Sequence, residues 1–463
     1  MPTDGSRTSG ASRDIERRGF LKYAGTGALV TSVGLAGCAT SEPAGDGGGG
    51  GGDGGDGGGG GDGGGGGDGG DGGSTGGDST GPVKIGLQAD LTGPLSLYGK
   101  WQKRVTERWA EELNAEHDGI AGREVQVVVE DTKSKTKEGV AAMRRLTQEK
   151  GAHVVMGTNS SGTSLASIPL AKQTGTPYFP QGDASSLAGE DANRWTVHYG
   201  HSVDHLSIGG FKWGVENLGS KWTMLFQDYS YGQQFKSVAE NRLPQFGGEL
   251  LRSIGVPLGE TDLVSQLNKV PSDTEVLFAV LVGPSNPAFL KQSRDLDVPG
   301  ERFGEVGLAE PLNLTNKEVP NAEGMHYVST VPALPEGMPE NQREFYQTYR
   351  DVAGITDYEQ AVPFGHAWEN WVILSWIKDA MENSDWSGDG DGDTLIRWIE
   401  EGPQRSASKL YPQGDTFFRG SDHQGFMDLF IEQVQDGTPT TVHRVDVNEP
   451  TYEAQADLTS KSF

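Results

Sequence analysis

Residues 153–164 read His-Val-Val-Met-Gly-Thr-Asn-Ser-Ser-Gly-Thr-Ser, the first stretch of this chain whose residue types could do chemistry. An apolar run stops at Gly157, and a cluster of hydroxyls then opens a helix expected over 164–173. The first N–H groups of a helix have no partner within it, and the helix dipole favours negative charge there. Ser160, Ser161, Thr163 and Ser164 add hydroxyl donors beside those amides. Such a turn suits a small anionic or amide-like group and needs no metal or cofactor.

Other clusters compete with it. His198, His201 and His205 are close, and the last two have the i,i+4 spacing of a zinc pair. Only Asp204 offers a third ligand, so they read as structural histidines. Asp389-Gly-Asp-Gly-Asp393 with Glu400 partly matches a calcium loop, but Thr394 stands where the sharp turn needs glycine. The bland reading is an acidic loop whose Asp393 caps a helix over 394–401. The serines near Gly157 form no Gly-x-Ser-x-Gly turn. A hydrolase would also need a base and an orienting group beside one serine. The expectation is a binding protein, not an enzyme, with no metal.

The elements that must position the 153–164 turn can be read on either side of it. Strands are expected at 83–87, 124–131 and 153–157, with helices between them. The first helix carries Trp101, Val105, Trp109 and Leu113 on one stripe, and the second spans 137–150. Short apolar stretches follow at 177–180 and 195–200. The alternation restarts near 205: helices at 206–218, 233–244, 262–269 and 287–295 separate strands at 221–228, 249–256, 276–282 and 302–306, followed by 324–330. Helices are then expected at 341–352 and 364–381. The second carries Trp368, Trp371, Val372, Leu374 and Ile377 and reads as core. Residues 425–442 have strand character. This is an α/β chain of two doubly wound parallel-sheet domains. Their site should lie beyond the carboxyl ends of the strands, in a cleft closed by a hinge.

The totals agree with two domains. Of 463 residues, about 380 remain once the leader and the glycine-rich stretch are set aside. A net charge of -27 argues against nucleic acid or anionic lipid headgroups as the main partner and reads as adaptation to high salt, as in a halophilic archaeon. Residues 1–38 read as an export leader. Arg17-Arg18-Gly19-Phe20-Leu21-Lys22 resembles a twin-arginine signal, and Leu35-Ala36-Gly37-Cys38 resembles a lipoprotein cleavage box that leaves Cys38 lipidated. Residues 39–81, nearly all Gly and Asp, read as a disordered tether with a reach of roughly 35–40 Å. The expected lobes are 82–202 with about 332–415, and 203–331 with about 416–463.

Several motifs carry a family resemblance. They are Ile85-Gly86 through Thr92-Gly93-Pro94 to Tyr98-Gly99, Asn114-Ala115 to Gly119-Ile120-Ala121-Gly122, Glu130-Asp131, Gly157 to Ser161, Asp228-Tyr229-Ser230-Tyr231-Gly232 and Ala322-Glu323-Gly324-Met325. In order and spacing the chain resembles the solute-binding proteins of branched-chain amino acid ABC importers, a group that includes amide and urea binders. The resemblance implies the type I periplasmic-binding-protein fold. It also implies a ligand shell at Tyr98, Ser160, Ser161, Thr163, the Asp183-Ala184-Ser185 turn and Tyr231, with an acid near Glu305 or Glu310 for an α-ammonium. Implied partners are a small solute, an ABC permease with its ATPase, and the membrane through the lipid on Cys38, at the outer face of the cell.

Two features depart from the amino-acid binders. Gly283-Pro284-Ser285-Asn286 stands where an aromatic is usual, and the stretch 195–199 is more aromatic, as in the amide and urea relatives. The ligand therefore stays open between an amino acid, urea or a short amide, and another small solute. The role stays open between import and ligand sensing.

Overall fold

The computed structural model describes residues 81–309, 319–330 and 365–463, except 409 and 412. The first lobe is a four-stranded parallel sheet, ordered β2-β1-β3-β4. Its strands are β1 (Val83–Ala89), β2 (Val125–Asp131), β3 (Val154–Gly157) and β4 (Tyr178–Pro180). Helices α1 (Ser96–Glu116), α2 (Thr136–Arg144) and α3 (Ser161–Thr174) connect them. The expected helix over 137–150 ends as a π turn, Arg145–Glu149.

The second lobe is a seven-stranded sheet, which the chain enters through α4 (Val203–Asn217). This helix starts at Val203 because Ser202 Oγ accepts the His205 amide. Next come β5 (Lys221–Gln227), α5 (Ser230–Arg242), β6 (Glu249–Val256), α6 (Val264–Leu267) and β7 (Val276–Val280). Then follow α7 (Ser285–Asp295), β8 (Glu301–Gly304), α8 (Val319–Ala322) and β9 (His326–Ser329). The helix expected over 262–269 shrinks to the single turn α6. The helix expected over 341–352 and the candidate Glu310 lie outside the described residues, as does Cys38.

Alternation along the second-lobe strands feeds two cores, one on each face. Trp222, Met224 and Phe226 of β5 and Val276, Phe278 and Val280 of β7 face α4 and α5. Leu225 of β5 and Leu277 and Ala279 of β7 face α6 and α7.

The later helices α9 (Gly365–Asn383) and α10 (Gly392–Glu400) return to the first core. Trp371 of α9 stacks on Trp109 of α1 with ring centroids 3.8 Å apart. Trp109 Nε1 donates to Ser375 Oγ at 3.1 Å. With Trp368, Val372, Leu374, Trp376 and Ile377 also buried, α9 is enclosed on every side, and it buries Glu369 and Asn370 as well.

A small antiparallel sheet follows, formed by β10 (Gln404–Arg405), β11 (Thr416–Arg419) and β12 (Gln424–Met427). Phe418 of β11 and Met427 of β12 pack in the first core. The chain joins the second sheet at β13 (Leu429–Gln435), which pairs antiparallel with β9 and with β14 (Thr438–Val445).

The tail then leaves the sheet. Tyr452 Oη meets Ser202 Oγ, the Leu458 amide donates to Ser421 O, and the Phe463 ring lies under the Arg194 guanidinium. The stretch 195–200 forms only isolated bridges, at Thr196 and His198. Trp195 meets Phe463 edge-on, and Tyr199 packs on Trp376 and Phe418.

Candidate functional site

The 157–161 turn is built by strand ends and one buried acid. Gly157 has φ +96°, and a Cβ there would sit 2.4 Å from Gln88 O, so only glycine fits. Asp90, buried just past the end of β1, accepts from the Thr158 hydroxyl at 2.8 Å, from the Asn159 amide at 3.0 Å and from the Thr132 hydroxyl. Burial raises the Asp90 pKa, and these donors pull against it. Asn159 Nδ2 donates to Gln102 Oε1, and Gln102 Nε2 to Gln181 Oε1, so buried amides join this turn to the next one.

The hydroxyl cluster divides its work. Ser160 Oγ caps α3 by accepting the Thr163 amide at 3.3 Å. The amides of Ser161 and Gly162 have no hydrogen-bond partner among the described residues. Ser161 is buried, and Gly182 lies so close that a Cβ there would be 2.6 Å from Ser161 Cα. Thr163 turns its methyl to Gly139 of α2, where an added Cβ would meet it at 2.1 Å. Tyr98 sits near the start of α1, packed in the first core.

The 181–185 turn lies beside them. Asp183 O accepts the Val203 amide, and Asp183 Oδ1 is 3.1 Å from His201 Nε2. Ala184 is buried and its carbonyl closes the turn with the Leu187 amide. Ser185 Oγ accepts the Asp204 amide at the start of α4. The Ser185 amide donates to Gln234 Oε1 on α5 at 3.1 Å, a direct tie between lobes.

The second lobe contributes Tyr231 and Glu305. Tyr231 is buried in the first turn of α5, and its hydroxyl lies against the Glu305 carboxyl. Glu305 follows β8, and its Oε2 accepts the Gly307 amide at 2.6 Å. Its Oε1 is buried with no well-formed hydrogen bond among the described residues. Burial pushes the Glu305 pKa up to about 7. The Gly307 amide and the Tyr231 hydroxyl oppose the shift, Asp183 adds to it, and His201 opposes it. Carboxyl groups of the two lobes thus face each other.

The structure places the competing clusters elsewhere. His205 Nε2 donates to Met427 O at 3.1 Å, whereas His201 lies between Asp183 and Glu369, so the two rings serve different partners. Among the described residues no group of three His, Cys, Asp or Glu could hold a metal ion. Asp391, not Asp393, sits before α10, engaged by Ser387 and by the Thr394 hydroxyl at 2.5 Å. Asp393 pairs with Arg397, and Glu400 takes Arg194 through both oxygens at 2.6 and 2.8 Å. The His201–Glu369 contact was not foreseen: Glu369 is 168 positions further on, and only the His201 spacing was suggestive.

Two α/β lobes with largely parallel sheets define the type I periplasmic-binding-protein fold. Residues 82–439 match the family described as "Periplasmic binding protein", and the chain belongs to that family. It is 23% identical over 279 residues to the Leu/Ile/Val-binding protein homolog 2 of Brucella abortus (strain 2308), covering 60% of this chain and 74% of that relative. The leucine binding protein LivK of Thermotoga maritima MSB8 superimposes with a TM-score of 0.67 at 18% identity, covering 79% of this chain and 99% of that one. A solute binding protein of an ABC transporter from R. palustris, in complex with benzoate, gives 0.67 at 15% identity, covering 79% and 97%.

Proposed function

We propose that this protein is the extracytoplasmic receptor of an ABC importer, capturing an amino acid by closure of its two lobes and passing it to a permease. One observation carries the reading: the two ends of the site make opposite demands. At the start of α3, the Ser161 and Gly162 amides and the Ser161 hydroxyl suit the guest's carboxylate. At the other end, Asp183 and the buried Oε1 of Glu305 suit an ammonium. The Leu/Ile/Val-binding relative supports an aliphatic amino acid. Urea or a short amide is the second reading, but its supporting aromatics, Trp195 and Tyr199, pack into the first core. The Gly283–Asn286 loop uses its polar side chains on itself and its neighbours: Ser285 Oγ donates to Glu260 O, and Asn286 Nδ2 to Gly307 O.

Cys38 carries the lipid, the twin-arginine leader exports the chain, and the Gly/Asp segment holds the receptor off the membrane. A sensing role would use the same capture step and differ only in its partner.

A thermal-shift screen at high salt with aliphatic amino acids, urea, short amides and benzoate tests the ligand. A guest at a hundred times its Kd stabilises the folded state by about 2.7 kcal/mol. Stabilisation by leucine, isoleucine or valine is the expected result. A shift with benzoate or urea and none with any amino acid would overturn the reading.

A further inference from the structure

The chain enters α4 just after Ser202 and passes from β12 to β13 at Asp428. The two passages touch where His205 Nε2 donates to Met427 O at 3.1 Å. The stretch that follows β14 is woven into both. The Val447 amide donates to Asp428 Oδ1 at 2.9 Å, and the Tyr452 hydroxyl sits between Ser202 Oγ at 2.9 Å and Gln424 Oε1 at 3.3 Å. Val447 and Tyr452 complete a small core with Phe426, packed against Ile208 of α4 and Phe417 of β11.

Beyond Tyr452 the stretch is fastened to the first lobe. The Leu458 amide donates to Ser421 O at 2.7 Å, Lys461 Nζ to Ala192 O at 2.7 Å, and Lys172 Nζ, near the end of α3, to Ser462 O at 3.0 Å. The Phe463 ring lies 3.8 Å from the Arg194 guanidinium and 4.7 Å from that of Arg397. Two side chains of the same stretch reach the second lobe. Gln455 Nε2 donates to Asp204 Oδ2 in the first turn of α4 at 3.4 Å, while its Oε1 lies over Gly189, where a Cβ would stand 2.7 Å away. Arg242, at the end of α5, donates to Asp204 Oδ1 at 2.6 Å, and its guanidinium lies 6.0 Å from the Tyr452 ring.

We infer that residues 446–463 are a brake on lobe opening. Tyr452 and Gln455, held to the first lobe by the residues after them, grip the Asp204–Arg242 pair of the second lobe. Swinging the lobes apart breaks that grip. It is made in the same arrangement as the Ser185–Gln234 bond between the lobes, so it favours the arrangement in which they touch. Chain length is not the restraint: Leu458 lies 13 positions past the end of β14, and that much chain extends to roughly 45 Å, more than the diameter of a small domain. The contacts hold the lobes. The inference rests on lobe closure in the proposed function and is independent of which guest is bound.

Spin labels at Lys137→Cys on α2 and Ser237→Cys on α5, both exposed, report the lobe separation by pulsed electron resonance in the full chain carrying Cys38→Ser. Two variants release the brake. One is the double substitution Tyr452→Phe with Gln455→Ala. The other is a chain ending at Glu453, which keeps Tyr452 in its small core and removes Gln455 with the fastenings beyond it. Without any guest, each is expected to at least double the long-distance fraction of the parent. Circular dichroism checks the fold, and the double substitution carries the test if the shortened chain does not fold. An unchanged or shortened distribution overturns the inference. So does a lower urea midpoint with no change in separation, which would make the stretch a brace and nothing more. Adding leucine, urea or benzoate to the parent tests closure separately: distances that none of them shortens would overturn lobe closure, whatever the variants do.

Discussion

Replacing Glu305 with Gln should stabilise the empty protein and disable it. The ordinary carboxyl value of 4.5 is raised to about 7 here, chiefly because the group is buried. Between those values the folded state binds more protons than the unfolded chain, so stability falls as pH rises through that window. A shift of about 2.5 units at 1.36 kcal/mol each costs about 3 kcal/mol by pH 7. Gln cannot ionise, so Glu305→Gln escapes that cost. With an unfolding entropy of ~2.1 cal/mol/K for each of about 380 folded residues, ~3 kcal/mol corresponds to about 4 °C in Tm. The assay is differential scanning calorimetry of ligand-free wild type and variant from pH 4.5 to 8. The Tm difference should grow from near zero at pH 4.5 to about 4 °C at pH 8. Titration calorimetry should show leucine binding weakened at least tenfold at pH 8. In the wild type the ionised fraction of Glu305 rises from about 9% at pH 6 to about 91% at pH 8, so leucine affinity should rise about tenfold across that range. A Tm difference that does not change with pH would refute the burial argument. Unchanged leucine affinity in the variant would remove Glu305 from the site.

Three further outcomes follow from the geometry. Burial lowers the His205 pKa from 6.5 to about 3, so the folded state resists its protonation and stability is lost as pH falls below 6.5. Urea melts of the wild type and His205→Gln should diverge below pH 6.5 by up to ~1.4 kcal/mol per pH unit, and parallel curves would exclude the ring as the cause. Ser161→Ala should weaken leucine about tenfold with an unchanged urea midpoint, whereas Gly139→Ala should cost about 1–3 kcal/mol of stability through its clash with the Thr163 methyl; both are read by titration calorimetry and urea melts. Cys38→Ser should move the protein from the detergent phase to the aqueous phase on Triton X-114 partition, and retention in the detergent phase would point to another anchor.

Local patterns carried much of the fold. The β5 and β7 runs are continuous apolar strands, and the alternation of strand and helix declared the sheet class before any contact was known. The helix with Trp368 and Trp371 was legible as core because apolar residues surround it. What failed depended on distant partners. The aromatics at 195–199 resembled those of amide and urea binders, but Trp195 is claimed by Phe463 and Tyr199 by Phe418, both more than 200 positions away. At the candidate site, the family motifs led to Ser161, Asp183, Tyr231 and Glu305; the structure sets Ser161 beside Gly182 and the Tyr231 hydroxyl against Glu305. The Glu369–His201 contact has no sequence signature: an acid among the tryptophans and aliphatics of α9 gives no sign of the ring it will meet.

The Trp109–Trp371 stack also dictates an order of events at the ribosome. Trp109 and its partner Ser375 are 266 positions apart. At 5–20 residues per second, α1 waits roughly 13–50 s after synthesis before its packing surface exists. Most of the second sheet, from Lys221 to Ser329, is contiguous in the chain and can assemble during that wait. Helix α1 meanwhile exposes Val105, Trp109 and Leu113, a sticky stripe with no lid. The early chain is therefore a natural client for a chaperone until its closing helix emerges.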